Sequence, residues 1–76
     1  MSYSVKKVLD LRGVECPMNI IIAKKELEKL SRGDVVKIIV DFPAAKEDVP
    51  RSLQRDGHKI LSITDLRDFT EIFVQV

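Results

Sequence analysis

Val35-Val36-Lys37-Ile38-Ile39-Val40 is the stretch that most narrows what this chain can become. Five of its six residues are β-branched, and such side chains lose χ1 freedom in a helix but pack well on a pleated sheet. With no alternation of apolar and polar residues, the run reads as a central strand, buried on both edges and on at least one face. The 76 residues leave room for one domain, 1–76, with short connections, because a chain of this size buries only about 60% of the surface that its unfolded form exposes.

The neighbouring segments supply what such a strand needs. Val5 to Leu11 is rich in Val and Leu and reads as a strand ending at an Arg12-Gly13 loop. In Pro17 to Leu30, the apolar positions Ile20, Ala23, Leu27 and Leu30 recur at 3-4-3 spacing with Lys and Glu between them. That is a helix, with Gly33 near its expected C-cap. A second helix is predicted from Ala45 or Lys46 to Asp56, stopped by Gly57, with Ala45, Val49 and Leu53 facing the sheet. Pro50 is tolerable only near the first turn, so this helix should start late or kink. His58–Thr64 and Thr70–Val76 read as strands joined by a hairpin connection over Asp65–Phe69. The order is β-α-β-α-β-β, an α/β chain whose first unit makes a parallel crossover and whose two helices share one sheet face.

Charge excludes some functions. Thirteen Lys plus Arg against twelve Asp plus Glu leave a net charge of +1, so no global basic field recruits nucleic acid or an anionic membrane. No apolar run approaches the roughly 20 residues that cross a bilayer, and no apolar signal-peptide core follows Lys6-Lys7. A cytoplasmic location is the expectation. The single cysteine cannot close an internal disulfide, so packing alone must hold the fold and the thiol stays available in a reducing compartment.

That cysteine lies in Arg12-Gly13-Val14-Glu15-Cys16-Pro17. Proline favours the first helical position, which would make Cys16 the N-cap, beside unpaired backbone N–H groups and the positive end of the helix dipole. Such surroundings favour thiolate over thiol. Arg12 would lower its pKa further and Glu15 would raise it. The position suits a nucleophilic sulfur that attacks a sulfur electrophile, with N–H groups stabilising a persulfide anion once formed. A buried structural cysteine is the other reading of the same residue. Turning the first helix at 100° per residue places Met18 and Ile22 nearly opposite the core stripe, with Ile21 between the faces. Met18 and Ile22 are therefore either a packing contact under a loop or a docking surface beside the thiol.

Other chemistry finds little support. His58 is the only histidine and reads as a capping or surface side chain. One Cys and one His do not make a zinc site, and there is no Cys-x-x-Cys pair. No phosphate-binding glycine loop is present. Lys24, Lys25, Lys29 and Arg32, interrupted by Glu26 and Glu28, read as a solvated face. Neither a metal nor a cofactor is expected.

The ordered residues Leu9-Asp10-Leu11-Arg12-Gly13, Cys16-Pro17, Lys24, Gly33, Asp41-Phe42-Pro43-Ala44-Ala45, Asp48-Val49-Pro50 and Gly57-His58 resemble the TusA family of sulfur carriers, also called SirA-like. The resemblance runs along almost the whole chain. It implies a two-layer α/β sandwich, a mixed four-stranded sheet covered on one face by two helices, like the C-terminal domain of a bacterial translation initiation factor. It also implies that Cys16 accepts a sulfane sulfur as a persulfide from a donor protein, a cysteine desulfurase or a rhodanese, and passes it to an acceptor protein. Family members feed tRNA thiolation, molybdenum-cofactor formation or sulfur-compound oxidation. The family signature Cys-Pro-x-Pro is Cys16-Pro17-Met18-Asn19 here. Asn19 restores a backbone N–H and a polar side chain to the first turn, which would alter or improve the anion site.

The leading expectation is therefore a sulfur-relay protein with sulfurtransferase-type chemistry, carried by Cys16 and supported by Asp10, Arg12, Gly13, Pro17 and Asn19. Arg12 has two candidate partners, the thiolate and Asp10. A docking or regulatory module using the Met18 and Ile22 face without sulfur transfer is the alternative. RNA binding rests on fold analogy alone and fits poorly with the net charge.

Overall fold

A computed structural model describes residues 4–15 and 17–76. Its elements are β1 (Val5–Asp10), α1 (Met18–Glu28), β2 (Val35–Val40), α2 (Ala45–Arg55), β3 (Lys59–Asp65) and β4 (Thr70–Gln75). The β-branched run is β2, and it is paired on both sides: parallel to β1, with Leu9 opposite Ile38, and antiparallel to β4, with Ile38 opposite Ile72. The hairpin partner β3 completes a mixed sheet of order β1-β2-β4-β3. Both outer strands carry irregular pairing, at Val5/Lys7 in β1 and at Ile60/Ser62 in β3.

Strand alternation decides which side chains meet the helices. Leu9, Val36, Ile38, Val40, Ile72 and Val74 point to one face and are buried there against Ala23 and Leu27 of α1 and Ala45, Val49 and Leu53 of α2. The opposite face carries, among the described residues, Val8, Ile39 and Phe73 around a Lys37–Glu71 ion pair of 2.8 Å. Two further ion pairs tie the helices down from the side: Lys7 of β1 to Glu26 of α1, and Lys46 of α2 to Asp65 of β3 at 3.1 Å.

Two helix details differ from the sequence reading. Pro50 is the sixth residue of α2 and is buried, although α2 begins at Ala45. Its missing N–H and ring act against the Lys46 carbonyl, and burial of the ring on the core side offsets that cost. In α1 the buried positions are Asn19, Ala23 and Leu27, so the buried stripe includes a polar residue, while Ile20 and Leu30 pack at its margins. Gly57 ends α2 as predicted. It has φ +98°, its N–H donates to the Gln54 carbonyl at 3.0 Å, and the next N–H, of His58, reaches back to Leu53 at 3.0 Å. This double closure requires a left-handed residue, which glycine adopts without strain.

Candidate functional site

The loop from β1 to α1 is built by three anchors. Leu11 continues the strand ladder, its N–H donating to the Ile39 carbonyl at 2.8 Å, and the Val14 N–H then closes a tight turn onto the Leu11 carbonyl at 3.1 Å. The third residue of that turn is Gly13, with φ +80°, a value that a side chain would strain. The Gly13 N–H donates to Asp41 Oδ1 at 3.0 Å. Parallel pairing explains the last contact: Asp10 sits beside Ile39, so the first residue beyond β2 with a carboxylate falls beside the turn that follows β1. Sequence reasoning gave Asp41 no role, and the parallel register was the signal that could have found it.

Arg12 takes Asp10 as its partner. Its Nε and Nη2 donate to Oδ1 at 2.9 Å and Oδ2 at 2.7 Å, and its backbone N–H adds a third bond to Oδ1 at 3.2 Å. The guanidinium also lies 5.6 Å from the centre of the Phe69 ring, a cation–π arrangement that links the loop to the β3–β4 connection. The charge counted on to lower the Cys16 pKa is thus offset within an ion pair. The Arg12 side-chain bonds, followed by its backbone N–H, hold the Asp10 carboxyl down at about 2, with desolvation opposing them and the Arg12 charge adding the smallest contribution.

A folded-state pKa below the unfolded one means stabilisation that is complete above the unfolded value of 3.8 and lost as pH falls toward about 2. The carboxyl resonance of Asp10, followed by NMR, is expected to titrate near 2 and to return toward 3.8 in Arg12→Gln. A midpoint in Arg12→Gln equal to that of the unchanged protein would refute the pairing.

Helix α1 starts one residue later than the sequence suggests. Pro17 stands at the cap position, with φ -93° and ψ 4°, rather than as the first helical residue. The Ile20 N–H donates to Asn19 Oδ1 at 2.7 Å, and the Ile21 N–H donates to the Pro17 carbonyl at 3.1 Å. Cys16, predicted as the cap, lies outside the described residues. Asn19 departs from expectation more sharply. It is fully buried, and its own N–H donates to the Glu15 carbonyl at 3.1 Å, so neither its N–H nor its amide is presented to an anion.

Of the two apolar residues proposed for docking, Met18 is 52% exposed. Ile22 is half-buried and packs against the core. Its flank of α1 is the one that Glu26, one turn on, uses to reach Lys7 of β1. Ile21, placed between the faces, is 40% exposed instead. Ile22 also borders a hollow of about 580 Å³ with Lys25 and Lys29. A smaller cleft of about 160 Å³ is bordered by Asp41, Phe42, Lys46 and Phe69. Lys24 is bound to Asp56 at 3.1 Å and Lys29 to Glu26 at 3.0 Å, as a solvated charged face would be.

Residues 7–76 match the family described as sulfurtransferase TusA. The chain belongs to that family. Its relatives include a candidate sulfur carrier protein of Archaeoglobus fulgidus, 42% identical over 57 residues, which are 75% of this chain and 65% of that protein. The chain thus spans slightly less than two thirds of that relative. A candidate sulfur carrier of Thermotoga maritima is 33% identical over 64 residues, 84% of this chain and 81% of its own length. The TusA fold is also seen in the crystal structure of a SirA-like protein from Desulfitobacterium hafniense, with a TM-score of 0.79 at 24% identity over 92% of this chain and 96% of that one. This agrees with the β-α-β-α-β-β order and the mixed sheet. Among the described residues no helix is long and apolar enough to cross a membrane.

Proposed function

We propose that this TusA-family chain is a sulfur carrier that holds a sulfane sulfur as a persulfide on Cys16. One observation carries the reading: the only cysteine in the sequence of a chain that matches the TusA family over residues 7–76 falls, in sequence, between the end of β1 at Asp10 and the start of α1 at Met18. In the loading step the Cys16 thiolate attacks the outer sulfur of a donor persulfide. A sulfur–sulfur bond forms on Cys16, the donor's sulfur–sulfur bond breaks, and the donor cysteine leaves as thiolate with the electron pair. Unloading is the same exchange toward an acceptor, a thiolate of the acceptor protein attacking the outer sulfur while Cys16 leaves. No external oxidant or reductant is consumed.

A donor of the cysteine desulfurase or rhodanese type and a protein acceptor are the partners, in the cytoplasm, with tRNA thiolation, molybdenum-cofactor formation and sulfur oxidation as the pathways that such a relay serves. Met18 and Ile21, two and five residues beyond the cysteine, supply apolar contact surface for them.

Intact-mass measurement after incubation with polysulfide, or with a cysteine desulfurase and cysteine, tests the reading. The expected result is a gain of about one sulfur mass that a reductant removes. An accessible thiol that gains no sulfur from either source would overturn it in favour of a docking module.

A further inference from the structure

Asn19 and Thr70 are the buried polar side chains among the described residues, and Asn19 is wholly enclosed, at 0% exposure. A buried amide is costly unless its groups are paired, and the pairing here has a direction. The Asn19 N–H donates to the carbonyl of Glu15 at 3.1 Å. Its Nδ2 donates to the carbonyl of Val14 at 3.5 Å, a long bond, and its Oδ1 accepts the N–H of Ile20 at 2.7 Å. Val14 and Glu15 are the two residues immediately before Cys16, and Ile20 lies four after it. One side chain and its own N–H therefore grip the backbone on both sides of the cysteine.

This set of contacts is specific to asparagine. Alanine keeps the bond to Glu15 but loses both side-chain bonds. Aspartate, ionised, has no donor for Val14. Proline has no N–H for Glu15, and its ring would meet the carbonyl that now lies there. Serine keeps the N–H and a short acceptor but cannot span to Val14 as the amide does.

We propose that Asn19 is a positioning residue for Cys16, holding the backbone of Val14 and Glu15 before it and of Ile20 after it. The proposal deepens the sulfur-carrier reading and rests on it for its purpose. The amide acts through geometry, since its polar atoms are turned inward. Among the described residues, the charged groups of the loop and of the elements beside it are the Asp10–Arg12 pair, Glu15, Asp41, Lys46 with its partner Asp65, and Arg67 and Asp68 of the β3–β4 connection. All are retained in Asn19→Ala and Asn19→Ser, so a changed thiol titration in those variants reports a changed position.

The test is the pH dependence of Cys16 alkylation by iodoacetamide in the full chain and in both variants, with circular dichroism confirming that each is folded. The midpoint of the unchanged protein is expected below the value of about 8.5 for free cysteine. Asn19→Ala is expected to raise it by about half a pH unit, the size of a helix-terminus effect, and to slow polysulfide loading at pH 7 by about threefold. Asn19→Ser should move both in the same direction by less. Loss of stability alone leaves the midpoint of the folded protein where it was. Midpoints unchanged in the folded variants would overturn the proposal, even with normal sulfur loading. A protein that takes up no sulfur but whose midpoint responds to Asn19 would overturn the carrier reading and uphold the positioning role.

Discussion

After incubation with polysulfide, Cys16→Ser is expected to show the mass of the unmodified chain, with none of the reducible sulfur that the native protein gains. The effect should be all-or-none. Cys16 is the only thiol in 76 residues, and neither of the two methionines, as thioethers, can carry a persulfide that a reductant strips. Serine places an oxygen where the sulfur was, but its hydroxyl stays protonated at neutral pH and is a weak nucleophile without a neighbouring base. Any sulfur that persisted reducibly in Cys16→Ser would sink the persulfide mechanism. The substitution leaves the loop bonds on Gly13 and Asn19 untouched, so thermal unfolding should be close to that of the native chain.

Leu27→Ala should have the largest effect on stability and little on the chemistry. Leu27 is fully buried, in the cluster formed with Ala23, Val49, Leu53 and the sheet residues Val36 and Ile38. Truncating such a leucine typically costs about 2 to 5 kcal/mol, the lost transfer energy plus the cavity left behind. A domain of this length has a total stability of roughly 4 to 11 kcal/mol by the per-residue average. Urea unfolding should therefore show a strongly lowered midpoint with a similar slope. Residual folded protein should still load sulfur on Cys16, because the loop anchors lie at the ends of β1 and β2 and in the first turn of α1, two turns away from Leu27. A loss below about 1 kcal/mol would show that α1 does not pack on the sheet as described.

The fold was legible because strong local signals agreed. The β-branched run of Val35–Val40 announced the central strand, and the spacing of Ala23 with Leu27 and of Ala45, Val49 and Leu53 gave both helix faces. The misreadings have physical causes. Asparagine scores as polar, so a stripe that includes Asn19 looked as though it should turn toward Ile20. Its three backbone partners explain its burial, and two of them, Val14 and Glu15, lie on a loop with no periodicity to read. Ile22 was placed nearly opposite the core stripe because a helical wheel cannot see β1 standing beside α1, where the Lys7–Glu26 pair forms, and its half-buried side chain packs against the core as well. Pro50 was judged by backbone cost alone, without the core on which its ring is buried.

At the site, the turn at Gly13 and the Asp10–Arg12 choice were partly visible. A glycine between a strand and a helix points to a tight turn, and residues two apart on a turn can pair. The reach of Asp41 across to Gly13 spans 28 residues, and nothing short of the parallel register foretells it.

The irregular pairing in both outer strands bears on life at high concentration. A regular outer strand offers a row of free N–H and C=O groups onto which another sheet can grow. Here that row is broken at Val5/Lys7 on one side and Ile60/Ser62 on the other, with Lys6, Lys7 and Lys59 beside the breaks. Bulges and lysines at these places disfavour stacking into fibres. With both sheet edges closed to strand addition in this way, contact with another protein is left to the loops and helix faces.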